Sequence, residues 1–136
     1  MRFKIRNLFF ILILIFSIAC SDDDKPNAPI DYSDMIKGNW EGLAVTQSPD
    51  TLLFEMTLDA TQNNVTGTSK FTITNESRED FTISGVITYP KVNLTFTSPQ
   101  TTIEFEGQFS ATNSNTLSGV INSGEYHDIQ TTFTKQ

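Results

Sequence analysis

A chain of 136 residues, 38% of them hydrophobic and 18% charged, has room for one ordinary domain and not for two. Its 16 acidic residues outnumber 9 basic ones for a formal net charge of −7, and no cluster of Lys and Arg follows position 19, which excludes the phosphate-binding face that nucleic acid requires. The single Cys excludes an intramolecular disulfide and needs an explanation of its own.

The chain opens with Arg2, Lys4 and Arg6, then an almost unbroken apolar run over residues 8–19. Twelve residues are too few to span a hydrocarbon core about 30 Å thick, which takes around 20, but they suit the centre of a cleavable export signal. The run stops at Cys20, and Ser21, Asp22, Asp23 and Asp24 follow at once; adjacent carboxylates mark the point where the chain enters water. Ala19 and Cys20 resemble the processing site of bacterial lipoproteins, although Ser17 stands where that family usually has Leu. The resemblance implies diacylation of Cys20 and removal of residues 1–19. The Ser21-Asp22-Asp23-Asp24 run is similar to the export signal that sends lipoproteins of Bacteroidota to the outer face of the outer membrane. The processed chain would keep 6 of the 9 basic residues and all 16 acidic ones, a net charge of −10. A surface so acidic discourages contact with anionic headgroups, so the expected membrane partner is reached through the lipid alone.

Residues 20–35 hold five Asp, two Pro and few apolar side chains, the composition of a solvated tether. Ser33 or Asp34 is placed to cap a short helical turn through Met35, Ile36 and Lys37. From residue 36 to 136 the pattern has period two, which predicts strands with one buried face, and no amphipathic helix competes. Trp40 marks the first strand. Leu52, Phe54, Met56, Leu58 and Ala60 share a face on the second; Val65, Gly67, Ser69, Phe71 and Ile73 follow, then Phe81, Ile83, Gly85, Ile87 and Tyr89. Val92-Leu94-Phe96, Ile103-Phe105-Phe109, Leu117-Ile121 and Ile129-Phe133 complete a set of eight. Short polar or Pro-containing turns separate them, so neighbours should pair as antiparallel hairpins.

Gly42, Gly67, Gly85, Gly107 and Gly119 each fall on the apolar face, two residues after a large side chain. Gly within a strand costs stability and marks a bend or close approach, so its repetition predicts strands coiling around a narrow interior. The expected fold is all-β: an antiparallel, up-and-down, eight-stranded β-barrel, with a sandwich of two sheets as the alternative. Gly38-Asn39-Trp40 on the first strand resembles the Gly-x-Trp signature of lipocalins and avidin-like barrels, calycin-type folds in which the Trp plugs one end and the other end is a ligand mouth. Trp40 is the only Trp, whereas biotin recognition in the avidin-like group uses several, so biotin is not expected.

The inward set Trp40, Phe54, Phe71, Phe81, Phe96, Phe105, Phe109 and Phe133 either lines a pocket for a small apolar ligand or fills the barrel. Catalysis finds little support: His127 is the sole histidine, beside Asp128 and Tyr126, and a Ser would have to converge on it. Glu104 and Glu106 flank Phe105 and alternate outward to water. No Cys and His spacing suits zinc, no loop has the alternating oxygens of a calcium site, and no cofactor is expected. Asp50-Thr51-Leu52 resembles the O-glycosylation acceptor pattern of Bacteroidota lipoproteins, making Thr51 a candidate. The expected function is a non-catalytic, surface-held barrel that binds a small apolar ligand or a partner protein. The alternative is a filled-core structural or interaction module, such as an enzyme inhibitor, and not an enzyme itself.

Overall fold

The computed structural model describes residues 28–46, 51–73, 78–124 and 126–136. The packed unit runs Asp31–Gln136. One short helix, α1 (Ser33–Ile36), precedes eight strands: β1 (Gly38–Val45), β2 (Thr51–Thr61), β3 (Asn64–Ile73), β4 (Glu79–Thr88), β5 (Lys91–Thr97), β6 (Thr102–Phe109), β7 (Thr116–Ser123) and β8 (Ile129–Lys135). Each strand pairs antiparallel with the next, and β8 returns to β1 in a register running from Trp40 opposite Lys135 to Ala44 opposite Thr131. The sheet is therefore one closed up-and-down barrel and not two sheets. Closure removes the unpaired edges that an open sheet would present.

Burial follows the period-two pattern. On β2, Leu52, Phe54, Met56, Leu58 and Ala60 are all buried while the residues between them face out. All seven Phe of the barrel are buried, and each such side chain contributes about 1.5–3 kcal/mol on leaving water. The rings interlock through Phe54, whose centroid lies 4.7 Å from Phe71, 5.9 Å from Phe96 and 5.6 Å from Phe133. Phe133 in turn meets Phe105 edge-on at 5.0 Å.

The inward glycines make this interior narrow. A Cβ on Gly42 would sit 2.0 Å from Cδ1 of the Phe133 ring, so that ring occupies the space the glycine leaves. Gly107 and Gly119 stand directly opposite each other on β6 and β7. A Cβ on Gly119 would lie 2.5 Å from the Gly107 Cα and 2.2 Å from the Glu106 carbonyl oxygen, so the two backbones approach more closely than any other residue permits.

One end of the barrel is plugged. Among the described residues, α1 packs there, with Ile36 fully buried and its carbonyl accepting a 2.6 Å hydrogen bond from Trp40 Nε1. The β2 to β3 turn lies beside it and carries positive φ at both Gln62 and Asn63, the requirement of a two-residue hairpin whose twist matches its strands. Asn63 knots the plug together. Its Oδ1 accepts from Tyr32 N at 2.7 Å, its own N donates to Ser33 Oγ at 3.1 Å, and its carbonyl accepts from Ile87 N at 2.8 Å. Tyr32 stacks on Tyr89 at 4.6 Å, and Lys135 Nζ donates to the Met35 carbonyl.

Two expectations change here. Residues 31–35, expected to belong to the tether, lie in the packed unit, where Ser33 is buried and Tyr32 and Met35 pack against the core. Neither Ser33 nor Asp34 caps the helix. Asp31, one residue before the N-cap Tyr32, accepts from Ser33 N through Oδ1 at 2.9 Å, while Ser33 Oγ accepts from Asn63 N.

Candidate functional site

The end opposite the plug holds, among the described residues, a cavity of about 500 Å³, inside the range of small-molecule pockets. Its floor is apolar: Leu52 and Phe54 from the start of β2, Phe71 from the end of β3, Phe81 from β4, Ile103 from β6 and Ile121 from β7. Its rim is polar, with Glu79, Gln100, Thr101, Thr102, Ser123 and Tyr126. Alternation explains the floor, since each of these residues sits on the inward row of its strand near the same end. The rim is held by turn hydrogen bonds. Ser98 Oγ accepts from Thr101 N at 3.0 Å and Ser98 N donates to the Thr101 carbonyl at 2.9 Å, fixing the β5 to β6 turn. Across the mouth, Ser123 N donates to the Tyr126 carbonyl at 2.7 Å.

A larger hollow, about 1110 Å³, lies on the outer wall of β1 to β4. Its charged side chains are outward-facing: Glu41, Glu55, Lys70 and Asp80 stand in one cross-strand row, and Arg78 pairs with Glu55. This hollow lies open on a solvated wall, whereas the inward-facing cup is floored by core side chains and is the better-enclosed site.

The aromatic candidates divide by height along the barrel. Trp40 and Phe109 lie at the plugged end, Phe109 beneath Tyr89 at 6.2 Å. Phe96, Phe105 and Phe133 are buried and are not among the residues lining the cavity. Phe54, Phe71 and Phe81 reach the mouth. His127 and Asp128 are exposed, as are Glu104 and Glu106 on the outer face of β6. Thr51 is the half-buried first residue of β2. Cys20, Ser21, Asp22, Asp23 and Asp24 lie outside the described residues.

Sequence reading missed Glu79 and Tyr126. The signal for Glu79 was present: stepping the Phe81, Ile83, Ile87 row back by one pleat reaches position 79, so an acidic side chain had to face the barrel's interior side. Tyr126 sits outside any strand, where alternation says nothing.

No protein-family model matches the chain, and no curated protein matches it. Solved structures do. A de novo designed fluorescence-activating β-barrel is 13% identical, with a TM-score of 0.64 over 79% of this chain and 99% of that one. A redesigned β-barrel, mFAP1, bound to DFHBI is 8% identical, with a TM-score of 0.64 over 76% of this chain and 97% of its own. EF1p2_mFAP2b bound to DFHBI is 10% identical, with a TM-score of 0.59 over 76% and 95%. At these identities the likeness concerns the fold, and it agrees with the closed eight-stranded barrel.

Proposed function

We propose that this chain is a non-catalytic binding barrel, held at the outer surface of the outer membrane by lipid on Cys20, that takes a small apolar ligand into its mouth. The observation that carries the ligand reading is the 500 Å³ cup with a Leu52, Phe54, Phe71, Phe81, Ile103 and Ile121 floor, opening opposite the plugged end. Two barrels of the same architecture are bound to DFHBI, which supports a barrel of this size as a small-molecule host. The Phe-packed middle limits the depth, so a ligand rests on the ring cluster and does not run the length of the barrel. The export run before Cys20 supports the address.

A second reading, a partner protein on the outer wall, is favoured by Leu43 and Leu53, which stand opposite each other on β1 and β2 and are both exposed. One experiment tests both. Native mass spectrometry of the chain purified from its own host membranes should show a diacylated Cys20 terminus and a retained small molecule, released on denaturation. A co-purifying subunit in place of the small molecule would favour the second reading. An unlipidated chain carrying neither would overturn the proposal and leave the filled-core module.

A further inference from the structure

Among the described residues that line the mouth, one carboxylate stands in an otherwise neutral set, and this points to the charge of what binds there. Glu79 opens β4 on the inward row that continues to Phe81, and it stands opposite Phe71 on β3. It is half-buried, and among the described residues lining the cavity it is the only Asp, Glu, Lys, Arg or His. Its basic neighbours are turned away. Arg78 pairs with Glu55 on the outer wall, and Lys70 faces Asp80 in the outward row.

A carboxylate at the edge of an aromatic cup does two things. It attracts a cation into a region where water is partly displaced, and it accepts a short charge-assisted hydrogen bond from an N–H donor. The rings of Phe71 and Phe81, whose centroids are 5.9 Å apart, give the apolar part of the same molecule a surface to cover. An anionic head group would meet Glu79 with no basic partner to offset the repulsion.

We infer that the mouth selects protonated amines: an apolar or aromatic body against Phe54, Phe71 and Phe81, with an ammonium group at Glu79. This rests on the small-ligand reading above and adds to it the charge of the ligand's polar end.

The test uses the full-length lipidated protein in neutral phosphatidylcholine nanodiscs and three probes that share one aromatic body: 2-(1-naphthyl)ethylammonium, 2-(1-naphthyl)ethanol and 1-naphthylacetate. Calorimetric titration should rank them ammonium, alcohol, carboxylate, with the ammonium about tenfold tighter than the alcohol, since hydrogen bonds to charged groups exceed neutral ones by roughly that factor. Glu79→Gln should bring the ammonium to within about twofold of the alcohol while alcohol binding persists. Asp80→Asn, on the outward row of the same strand, should leave the tenfold preference in place. Added salt should weaken the ammonium alone.

Equal affinity for all three probes in the wild type would overturn the charge selectivity and leave the binding cup standing. So would a preference that survives Glu79→Gln or vanishes in Asp80→Asn. Binding of none of the three would overturn the cup itself. Retained alcohol binding shows that a Glu79→Gln chain is folded; if it is lost, Glu79→Asp should restore both the fold and the preference, and its failure to do so counts against the proposal.

Discussion

At Gly119 a hydrogen atom is all that fits between two strands. A Cβ there would meet the Glu106 carbonyl oxygen at 2.2 Å and the Gly107 Cα at 2.5 Å, both main chain, so relief requires β6 and β7 to part. At Gly42 the obstacle is the Phe133 ring, a side chain able to tilt at the expense of its contacts with Phe54 and Phe105. At Gly124 nothing lies within 4 Å. Alanine substitution should therefore destabilise in the order Gly119, Gly42, Gly124. Overpacking typically costs about 1–3 kcal/mol, so Gly42→Ala should fall in that range and Gly119→Ala at or above its top. Gly124→Ala should stay within about 0.5 kcal/mol of wild type, as surface changes do. Urea denaturation midpoints read the order directly. Sequence spacing already marked these inward glycines as places of close approach. It did not distinguish a glycine facing a ring from one facing backbone, because that depends on register between strands.

At the scale of the element, α1 shows where linear pattern fails. Four residues cannot sustain a helix on their own, and the composition around them is that of a tether. What holds α1 is remote in sequence: Asn63, some thirty positions on, and Tyr89 beyond it. The entry to the helix also titrates. Hydrogen bonds from the Ser33 side chain and backbone hold the Asp31 carboxyl below its usual value of 3.8. A depressed native value means that this contribution to stability is present above the unfolded-state value and is lost as pH falls through the native one. The acid limb of the stability curve should therefore steepen below about pH 4. Asp31→Asn keeps an oxygen acceptor for Ser33 N but cannot ionise, so its denaturation midpoint should approach that of the wild type as pH drops from 5 to 2. A constant gap across that range would mean that Asp31 is not linked to the fold. The same limit of pattern reading explains the mouth. Alternation says which face a residue occupies but not its height along the barrel, so seven Phe looked alike although only Phe54, Phe71 and Phe81 line the cavity.

For the whole molecule the decisive bond set is the one between its first and last strands. The eight-strand count and the meander were legible because each strand carries its own period-two signal and each turn its own breaker residues. Closure was inferred from glycines and is seen in the β1 to β8 ladder, where the Thr131 hydroxyl also donates to the Leu43 carbonyl at 3.2 Å. A ring has no terminal strand to fray: every strand is flanked by two others, and Phe133 of β8 is packed against both Phe54 and Phe105. Loss of β8 would open edges on β1 and β7 together and remove the ring at the centre of the core, a loss well beyond the roughly 3–5 kcal/mol of a single Phe truncation for a domain whose total stability is about 5–15 kcal/mol. The barrel should therefore unfold as one unit. Trp40 is the only Trp and sits buried in the plug, so its emission reports the closed end, whereas far-UV circular dichroism averages over all strands. Urea curves from the two probes should superimpose, and a chain ending at residue 128 should show no cooperative transition by either. Separate midpoints, with the Trp40 signal moving before the strands, would mean that the plug is a detachable element and that the barrel stands without it.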